Sequence, residues 1–279
     1  MRPSPLTRTL APLLAPPLLG GLLTCAAPPP WVPPEPSVLL ALQSSPAPSP
    51  APIVETQHIG SELDPLLAQK LAVARGDASI GRKLGVFRNT YYDFPLEREY
   101  TGPLVDVFDA SCRSLARVPQ EFHDTLCMQG SGLLADGRTL SFARRDCSCA
   151  RRCPRSSQQI CFEALAPERF PWGRGASGDP ITPLLSVAVD IDVIALGTPL
   201  FIPEYLGLPR DAEHHSEHDG CFIAQDRGIK IQGRHIDVFT GEESLTELWN
   251  RLVPSNRGVT VIVDSPFCSG IRIDTNAAR

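Results

Sequence analysis

Three aspartates, Asp190, Asp226 and Asp237, stand at or beside the ends of short apolar runs between residues 186 and 241. Glycines separate these runs, a pattern that predicts short strands joined by tight turns. Strands of this kind are typical of a β-barrel, and the acids are then expected at its rim. Carboxylates that lie close together raise one another's pKa, so one of them can stay protonated and serve as a general acid. The stretch therefore predicts acid and base chemistry on a barrel.

The three acids differ in how strongly their surroundings indicate a function. Asp190 follows a Val-Ala-Val run and is expected to end a strand and accept hydrogen bonds from a turn. Asp226 precedes an Arg-Gly pair, which suits a turn residue as well as a functional one. Asp237 lies inside HIDVFTG, on the same predicted strand face as His235 and Phe239, where a carboxylate is costly to bury without a partner. This position favours function for Asp237.

Composition limits what kind of protein can carry these acids. The chain has 279 residues, and its net charge of −5 comes from 26 basic and 31 acidic side chains. Because no concentrated basic run occurs, a nucleic-acid partner is not expected. The first 56 residues hold fifteen of the 29 prolines and are not expected to pack as a domain. About 220 residues remain, enough for one well-buried domain or two small ones.

The N-terminus predicts export. Arg2 and Arg8 precede an apolar run that is too short and too broken by proline to span a membrane, as in a secretory signal peptide over residues 1–25. Leu-Leu-Thr-Cys, ending at Cys25, resembles a bacterial lipobox, although ordinary cleavage near Ala27 is an alternative. The expected location is the cell envelope, either as an outer membrane lipoprotein attached through Cys25 or in the periplasm.

A linker and a helix precede the predicted domain. Residues 26–56 are rich in Pro, Ala and Ser, which favours an extended spacer. Leucines at helical spacing within residues 57–83 predict a helix, with Ser61 as its N-cap and Gly76 as its stop. The folded domain is then predicted over residues 84–279.

Cysteines predict disulfides. They occupy positions 25, 112, 127, 147, 149, 153, 161, 221 and 268. Without Cys25 the number is even, as expected for up to four disulfides in an exported protein. The dense group at 147–161 lacks the paired CxxC spacing of structural zinc sites, so disulfides are favoured over a metal. Five nearby arginines could meet an anionic polymer such as a cell-wall glycan that bears carboxylates, or form a solvated loop.

Periodicity predicts the remaining elements. KLGVFRNTYYDFP indicates a first strand, and residues 102–119 indicate a helix with Leu104, Phe108, Cys112 and Leu115 on one stripe. Residues 124–143 contain an Asp-Gly turn and indicate a β-hairpin. Beyond the aspartates, GEESLTELWNRL predicts a core-facing helix with Leu245, Leu248, Trp249 and Leu252 at helical spacing, and GVTVIVD predicts a last strand. Cys268 is expected to pair with a thiol of this body, with Cys221 as a candidate.

An acidic insert at residues 211–219 contains His214, His215 and His218. Imidazole and carboxylate groups together can bind a divalent metal, and such loops are also commonly only solvated. A solvated loop is the favoured interpretation, so no metal and no other cofactor is predicted.

The motifs VAVDxxxIxLGTPLxIPEY, AQDRGxxIxG and GRHIDVFTG resemble the three-aspartate (3D) domain, a double-psi β-barrel that forms the catalytic part of MltA-type lytic transglycosylases. The resemblance implies a mainly β fold, a double-psi β-barrel, and the chain's own pattern adds helices and a disulfide-rich insert at about 112–161. It also implies a peptidoglycan-acting glycosidase that cleaves the β-1,4 MurNAc–GlcNAc bond in glycan strands. Asp237 would then act as acid and base, with Asp226 orienting it and Asp190 in support.

Two departures leave a second interpretation open. Where the family often has Asp-x-Gly-Gly-x-Ile-Lys-Gly, this chain has DRGIKIQG, and the larger substrate-binding barrel of MltA has no counterpart. The alternative is a non-catalytic module that binds the cell wall or has a structural role. If the domain does cleave glycan, residues 86–185 must complete its groove.

Overall fold

A computed structural model describes residues 64–271 of the chain. The predicted signal peptide with Cys25, the predicted linker and the predicted N-cap Ser61 therefore lie outside the described residues. Within residues 64–271, none of the helices combines the length and the apolar character needed to cross a membrane.

The described part contains three α-helices and eleven strands. The helices are α1 (Pro65–Arg75), α2 (Gln120–Gln129) and α3 (Glu243–Leu252). The strands are β1 (Arg82–Asp93), β2 (Leu104–Phe108), β3 (Ser114–Pro119), β4 (Ser131–Leu133), β5 (Thr139–Arg144), β6 (Cys161–Leu165), β7 (Ser186–Val189), β8 (Pro199–Phe201), β9 (Cys221–Asp226), β10 (His235–Gly241) and β11 (Val259–Val263). Single 3₁₀ turns occur at Ala78–Ile80, Glu97–Glu99, Pro203–Tyr205 and Pro266–Cys268.

Six strands close into a barrel in the order β1-β10-β7-β9-β8-β11, which confirms the predicted mainly β barrel fold. Two neighbouring pairs, β1 with β10 and β7 with β9, are parallel, and the other pairs are antiparallel. Alternate side chains of each strand fill the interior. On β10 these are Ile236 and Val238, which join a core that also includes the fully buried Phe222 and Trp249.

The chain between β1 and β7 forms a second body, which we call the inserted lobe (residues 94–185). It consists of the β2-β3 hairpin, α2 and the three-stranded sheet β4-β5-β6, packed around its own apolar core. The lobe follows β1 and precedes β7 in the chain, and both of its ends are hydrogen-bonded to β10. The Phe94 N–H donates to the Gly241 carbonyl (2.8 Å), and the Leu184 N–H donates to the Phe239 carbonyl (2.7 Å).

The eight cysteines within residues 64–271 form four disulfides, as the sequence predicts. Three of them lie within the inserted lobe: Cys112–Cys149, Cys127–Cys153 and Cys147–Cys161. The fourth joins Cys221 to Cys268 in the barrel, which confirms the candidate pairing. The thiols of the dense group are therefore consumed by disulfides and do not form a zinc site.

The predicted helix at residues 102–119 is wrong, because these residues form the β2-β3 hairpin. Strand pairing decides the fold here: residues 104–108 pair antiparallel with residues 114–119, and this hairpin buries Val107 and Val118 in the lobe core. The Asp109 carboxylate accepts two backbone N–H groups of the turn, and Cys112 adopts a positive φ of 62° that a helix cannot contain. The disulfide of Cys112 fixes this turn to the lobe.

Other predicted elements agree more closely with the structure. The first strand, the helix that stops at Gly76, the helix after β10 and the last strand all occur, as β1, α1, α3 and β11, respectively. Asp64, three residues after the expected Ser61, caps α1 by accepting the Leu66 N–H. In α3, Trp249 is buried as predicted, but Leu252 is 43 % exposed. Of the predicted hairpin at 124–143, only β4 and β5 are strands, and its start belongs to α2.

Candidate functional site

Strand register places two of the predicted acids in one row across the barrel. Thr90 of β1 pairs with Asp237 of β10, Asp237 pairs with Ala188 of β7, and Ala188 pairs with Asp226 of β9. The two acids are thus two strands apart, about 10 Å between Cα atoms at the usual strand spacing. Only the methyl group of Ala188 lies between them, so the sheet leaves open space there. These residues and Tyr92 lie on the outer face of the barrel.

Asp237 does not lie at the barrel rim, as the sequence predicted, but inside β10 on its outer face. Its Oδ1 is 2.6 Å from Thr90 Oγ1, and the side chain is half-buried. Burial, together with the smaller effect of the Asp226 charge, raises the pKa of Asp237 to about 6. The Thr90 hydroxyl and the Arg88 guanidinium act in the opposite direction. A carboxyl with this pKa remains partly protonated near neutral pH, as a general acid must.

Asp226 is the last residue of β9, and its carboxyl accepts hydrogen bonds from two backbone groups and one side chain. Burial raises its pKa, while hydrogen bonds from the Arg227 and Ala176 backbone and from Tyr92 favour its charged form. The Tyr92 hydroxyl donates to Oδ2 at 3.2 Å, and the Ala176 N–H donates to Oδ1 at 3.1 Å. Burial is the larger effect, so the pKa of Asp226 is raised overall, while these donors fix the orientation of its carboxyl group.

The Ala176 N–H reaches Asp226 because a loop of the inserted lobe (residues 173–178) lies directly against β9. The Ser177 N–H donates to the Gln225 carbonyl at 3.0 Å. A Cβ atom at Gly175 would stand 2.5 Å from the same carbonyl oxygen, so only glycine permits this approach. The loop is thus a structural part of the acid site.

A cleft of about 550 Å³ opens over the acids between the barrel and the inserted lobe. The barrel contributes Asp226, Asp237 and Tyr92 to its lining, and the lobe contributes polar side chains that include Arg145 and Arg174. Arg174 forms an ion pair with Glu163. Arg145 donates to Gln158 Oε1 at 3.0 Å and lies over the Phe142 ring. Residues of the predicted range 86–185 therefore form one wall of the cleft.

Asp190 is placed apart from the other two acids. It follows β7, and its carboxylate accepts the Asp192 N–H at 3.0 Å and the Gly233 N–H. Hydrogen bonds from these backbone groups lower the pKa of Asp190. It lines a smaller neighbouring cavity of about 390 Å³ rather than the acid cleft. These contacts are those of a carboxylate that fixes the turn before β10.

The His-rich insert does not behave as one loop. His218 is fully buried and stacks on Phe222, with its ring nitrogens engaged by the Leu184 carbonyl and the Gly220 N–H. Burial lowers the pKa of His218 to about 4, so it is a neutral core residue. His214 and His215 are exposed, and the Nδ1 atom of His215 lies 3.5 Å from Asp211.

Sequence reasoning missed four groups of this site. They are Thr90, Tyr92, the Ala176 N–H and the contact of His235 Nε2 with Thr90 Oγ1 at 2.9 Å. Thr90 and Tyr92 alternate in the predicted first strand, so they share a face, but the parallel pairing that brings this face to β10 is visible only in the structure. The backbone donor has no signature in sequence.

Comparisons with known proteins extend these observations. The model of the 3D domain matches residues 185–250. No curated protein matches the chain. Among solved structures, MltA from E. coli with bound chitohexaose aligns at 17 % identity over 65 % of this chain and 72 % of that chain, with a TM-score of 0.46.

Two further solved structures have similar statistics. The membrane-bound lytic murein transglycosylase from Agrobacterium tumefaciens aligns at 15 % identity over 63 % of this chain and 73 % of its own, with a TM-score of 0.41. LtgG, a lytic transglycosylase of Burkholderia pseudomallei, aligns at 21 % identity over 63 % and 72 %, with a TM-score of 0.34. The match at residues 185–250 covers β7, β8, β9, β10 and most of α3, so the region that is similar to the 3D domain forms part of the closed six-stranded barrel.

Proposed function

We propose that this protein is an exported, peptidoglycan-acting glycosidase that cleaves the β-1,4 MurNAc–GlcNAc bond as lytic transglycosylases do. The observation that carries the proposal is Asp237: a carboxyl of the 3D domain, half-buried in an open cleft, with a pKa raised to about 6. An acid of this kind can protonate a leaving group at a pH where an ordinary aspartate is fully ionised.

The reaction needs one carboxyl in two successive roles. Asp237 donates its proton to the glycosidic oxygen as the bond from that oxygen to C1 of the muramic acid breaks. The resulting carboxylate then accepts the proton of the C6 hydroxyl of the same sugar, whose oxygen attacks C1. A 1,6-anhydro ring forms, and Asp237 is protonated again. Because the sugar supplies its own nucleophile, no second carboxylate is needed to activate water.

Asp226 supports this cycle as a fixed negative charge. Two strands away from Asp237, and oriented by Tyr92 and the Ala176 N–H, it raises the pKa of Asp237. The same charge favours the positive character that develops at C1 as the bond breaks. Asp190 acts through the backbone turn before β10 and stays outside the reaction.

The inserted lobe takes the place of a separate substrate-binding domain. Its cleft wall carries Arg145, which has no acidic partner among residues 64–271, and Gln158 beside it. A glycan strand lying in the cleft would contact this wall while its scissile bond faces Asp237. Carboxylates of peptidoglycan provide groups that arginine binds well.

Export agrees with the disulfides, since four such bonds persist in oxidising compartments outside the cytosol. We propose that residues 1–25 are the signal peptide, that residues 26–56 are a linker, and that the domain follows the α1 segment. Attachment to the outer membrane would require lipidation of Cys25, which mass spectrometry of the mature N-terminus would detect.

The test is digestion of murein sacculi by the purified, oxidised protein, with analysis of the products by mass spectrometry. We expect 1,6-anhydro-muropeptides, and a loss of at least about a hundredfold in rate for Asp237→Asn, the typical contribution of a general acid. Glu168→Gln is the matched control, because this exposed carboxylate lies outside the cleft lining. If the folded protein binds sacculi without releasing products, it is a non-catalytic wall-binding module instead.

A further inference from the structure

We propose that the smaller cavity beside the acid cleft is a peptide subsite, in which Arg145 and Arg227 bind carboxylates of the short acidic peptide that muramic acid carries on its lactyl group. The proposal rests on the proposed function, because it takes the glycan to lie with its scissile bond at Asp237. It adds a specificity, a preference for peptide-bearing strands over bare glycan, and it names the side chains that determine this preference.

The two cavities share a border. The acid cleft has a volume of about 550 Å³ and the smaller cavity about 390 Å³. Four residues line both of them: Arg145, Arg227, Gly228 and Ile229. The peptide of muramic acid leaves the sugar at C3, close to the scissile bond at C1, so it begins near Asp237. A peptide that continues past this border enters the smaller cavity.

Arg145 is held in place for a carboxylate ligand. Its side chain is half-buried, its Nε donates to Gln158 Oε1 at 3.0 Å, and its guanidinium carbon lies 4.8 Å from the centre of the Phe142 ring. Within residues 64–271 it forms no ion pair, and its two Nη groups donate no hydrogen bond. A guanidinium that is already fixed loses little freedom when it binds a carboxylate through these groups.

Arg227 supplies a second cation at the same border. It follows Asp226 directly, it is exposed, and it has no ion-pair partner in the described part of the chain. Because both arginines line both cavities, they stand where a ligand passes from one cavity to the other. Their positive charge also offsets the repulsion between the carboxylates of the peptide and Asp226 and Asp237.

The remaining lining of the smaller cavity differs in charge from its border with the acid cleft. It includes Ile191, which is 43 % exposed, and the exposed carboxylate of Asp192. Asp190 also lines the cavity, but its two carboxylate oxygens accept backbone N–H groups of the turn. The isoleucine suits the methyl groups of alanine, and Asp192 suits an ammonium group. This order of groups fits a peptide with a carboxylate near the sugar and an amino group farther along.

The segment DRGIKIQG has its two departures from the family pattern at this cavity. Ile229 stands at the position of the second glycine and Gln232 at the position of the lysine. Both side chains line the smaller cavity, and Ile229 is 47 % exposed there. The replacements therefore change the surface of the proposed subsite, while Asp226 and Asp237 keep their places on β9 and β10.

Isothermal titration calorimetry of the oxidised full chain tests the subsite without any cleavage. The probes are the disaccharide GlcNAc–MurNAc with its peptide, the same disaccharide without the peptide, and uncharged chitotetraose. Neither disaccharide contains a MurNAc–GlcNAc bond, so the protein cannot consume it. We expect the wild type to bind the peptide-bearing disaccharide more tightly than the peptide-free one, and equal affinities would overturn the proposal.

Substitution of the arginines identifies the groups responsible. Arg145→Gln should weaken binding of the peptide-bearing disaccharide by about tenfold, the effect of one charged hydrogen bond. Arg227→Gln should weaken it by about threefold, because solvent screens an exposed charge. Arg117→Gln is the matched control, since this exposed arginine of the inserted lobe lines neither cavity, and it should bind like wild type. Chitotetraose should bind all four proteins alike.

Two results would overturn the proposal. If Arg145→Gln and Arg227→Gln bind the peptide-bearing disaccharide as wild type does, the arginines do not recognise the peptide. If they weaken the peptide-free disaccharide equally, the arginines bind the lactyl carboxylate instead. Sacculus digestion is scored separately. Release of anhydro products together with unchanged binding by both variants refutes the subsite alone, whereas arginine-dependent binding without any product refutes only the proposed function.

Discussion

The raised pKa of Asp237 predicts that its replacement by asparagine stabilises the protein, and only at high pH. In the folded protein the pKa is about 6, against an ordinary value of 3.8. Between these values the folded state binds more protons than the unfolded state, so ionisation of Asp237 lowers stability as pH rises through this window. The difference of about two pH units corresponds to an upper limit of about 3 kcal/mol. Asp237→Asn removes this cost, because an amide does not ionise.

The stabilisation should depend on pH in a defined way. Below about pH 4 the carboxyl of Asp237 is protonated in both states, and wild type and Asp237→Asn should have similar free energies of unfolding. Above about pH 7 the variant should be more stable by about 1–3 kcal/mol, since the amide does not recover every contact of the carboxyl. Urea unfolding of both proteins at a series of pH values, with disulfides intact, measures this difference.

A matched variant and a clear contrary result complete this experiment. Glu168→Gln neutralises an exposed carboxylate and should show little change in stability at any pH. A stability difference for Asp237→Asn that stays constant from pH 4 to pH 8 would refute the reasoning, because it would mean that Asp237 titrates alike in the folded and unfolded states.

Two other substitutions test the structure that supports the acids. The Cys221–Cys268 disulfide closes a loop with a sequence separation of 47, so its removal in the double variant Cys221→Ala/Cys268→Ala should lower the free energy of unfolding by about 2–4 kcal/mol. An unchanged urea midpoint would contradict this expectation. Gly175→Ala should raise the pKa of Asp226 in carboxyl NMR, because its Cβ would push the 173–178 loop and its N–H donor away from β9. Gly270→Ala, with open space around its Cβ, is the control and should leave that pKa unchanged.

Strands whose apolar pattern is local were predictable from sequence. Successive side chains of HIDVFTG point to opposite faces of the strand, so the face shared by His235, Asp237 and Phe239 follows from β periodicity alone. The same reasoning placed Asp190 at a strand end, where it serves a turn. Periodicity does not show which strands pair with each other. The contact between Thr90 and Asp237 is therefore visible only in the structure.

The structure differs from the sequence prediction where contacts between distant residues override the local spacing of apolar side chains. Leu104, Phe108, Cys112 and Leu115 have helical spacing, yet the hairpin forms because strand pairing buries Val107 and a disulfide fixes Cys112. The polar neighbours of His218 predict a solvated loop, but its ring is buried and stacks on Phe222. In both cases a residue's partner lies far away in sequence, where composition carries no information about it.

The attachment of the inserted lobe has a consequence for how such proteins can diversify. Both of its crossings are fastened to the same short strand, through the carbonyls of Phe239 and Gly241, a few residues from Asp237. Ends that meet at one place allow a segment to be exchanged without rethreading the barrel. Within residues 64–271, all three disulfides of the lobe close inside it, and none ties it to the barrel. Grafting a different lobe at these two points, with residues 173–178 retained to hold Asp226, should therefore change one wall of the cleft while Asp237 keeps its place on β10.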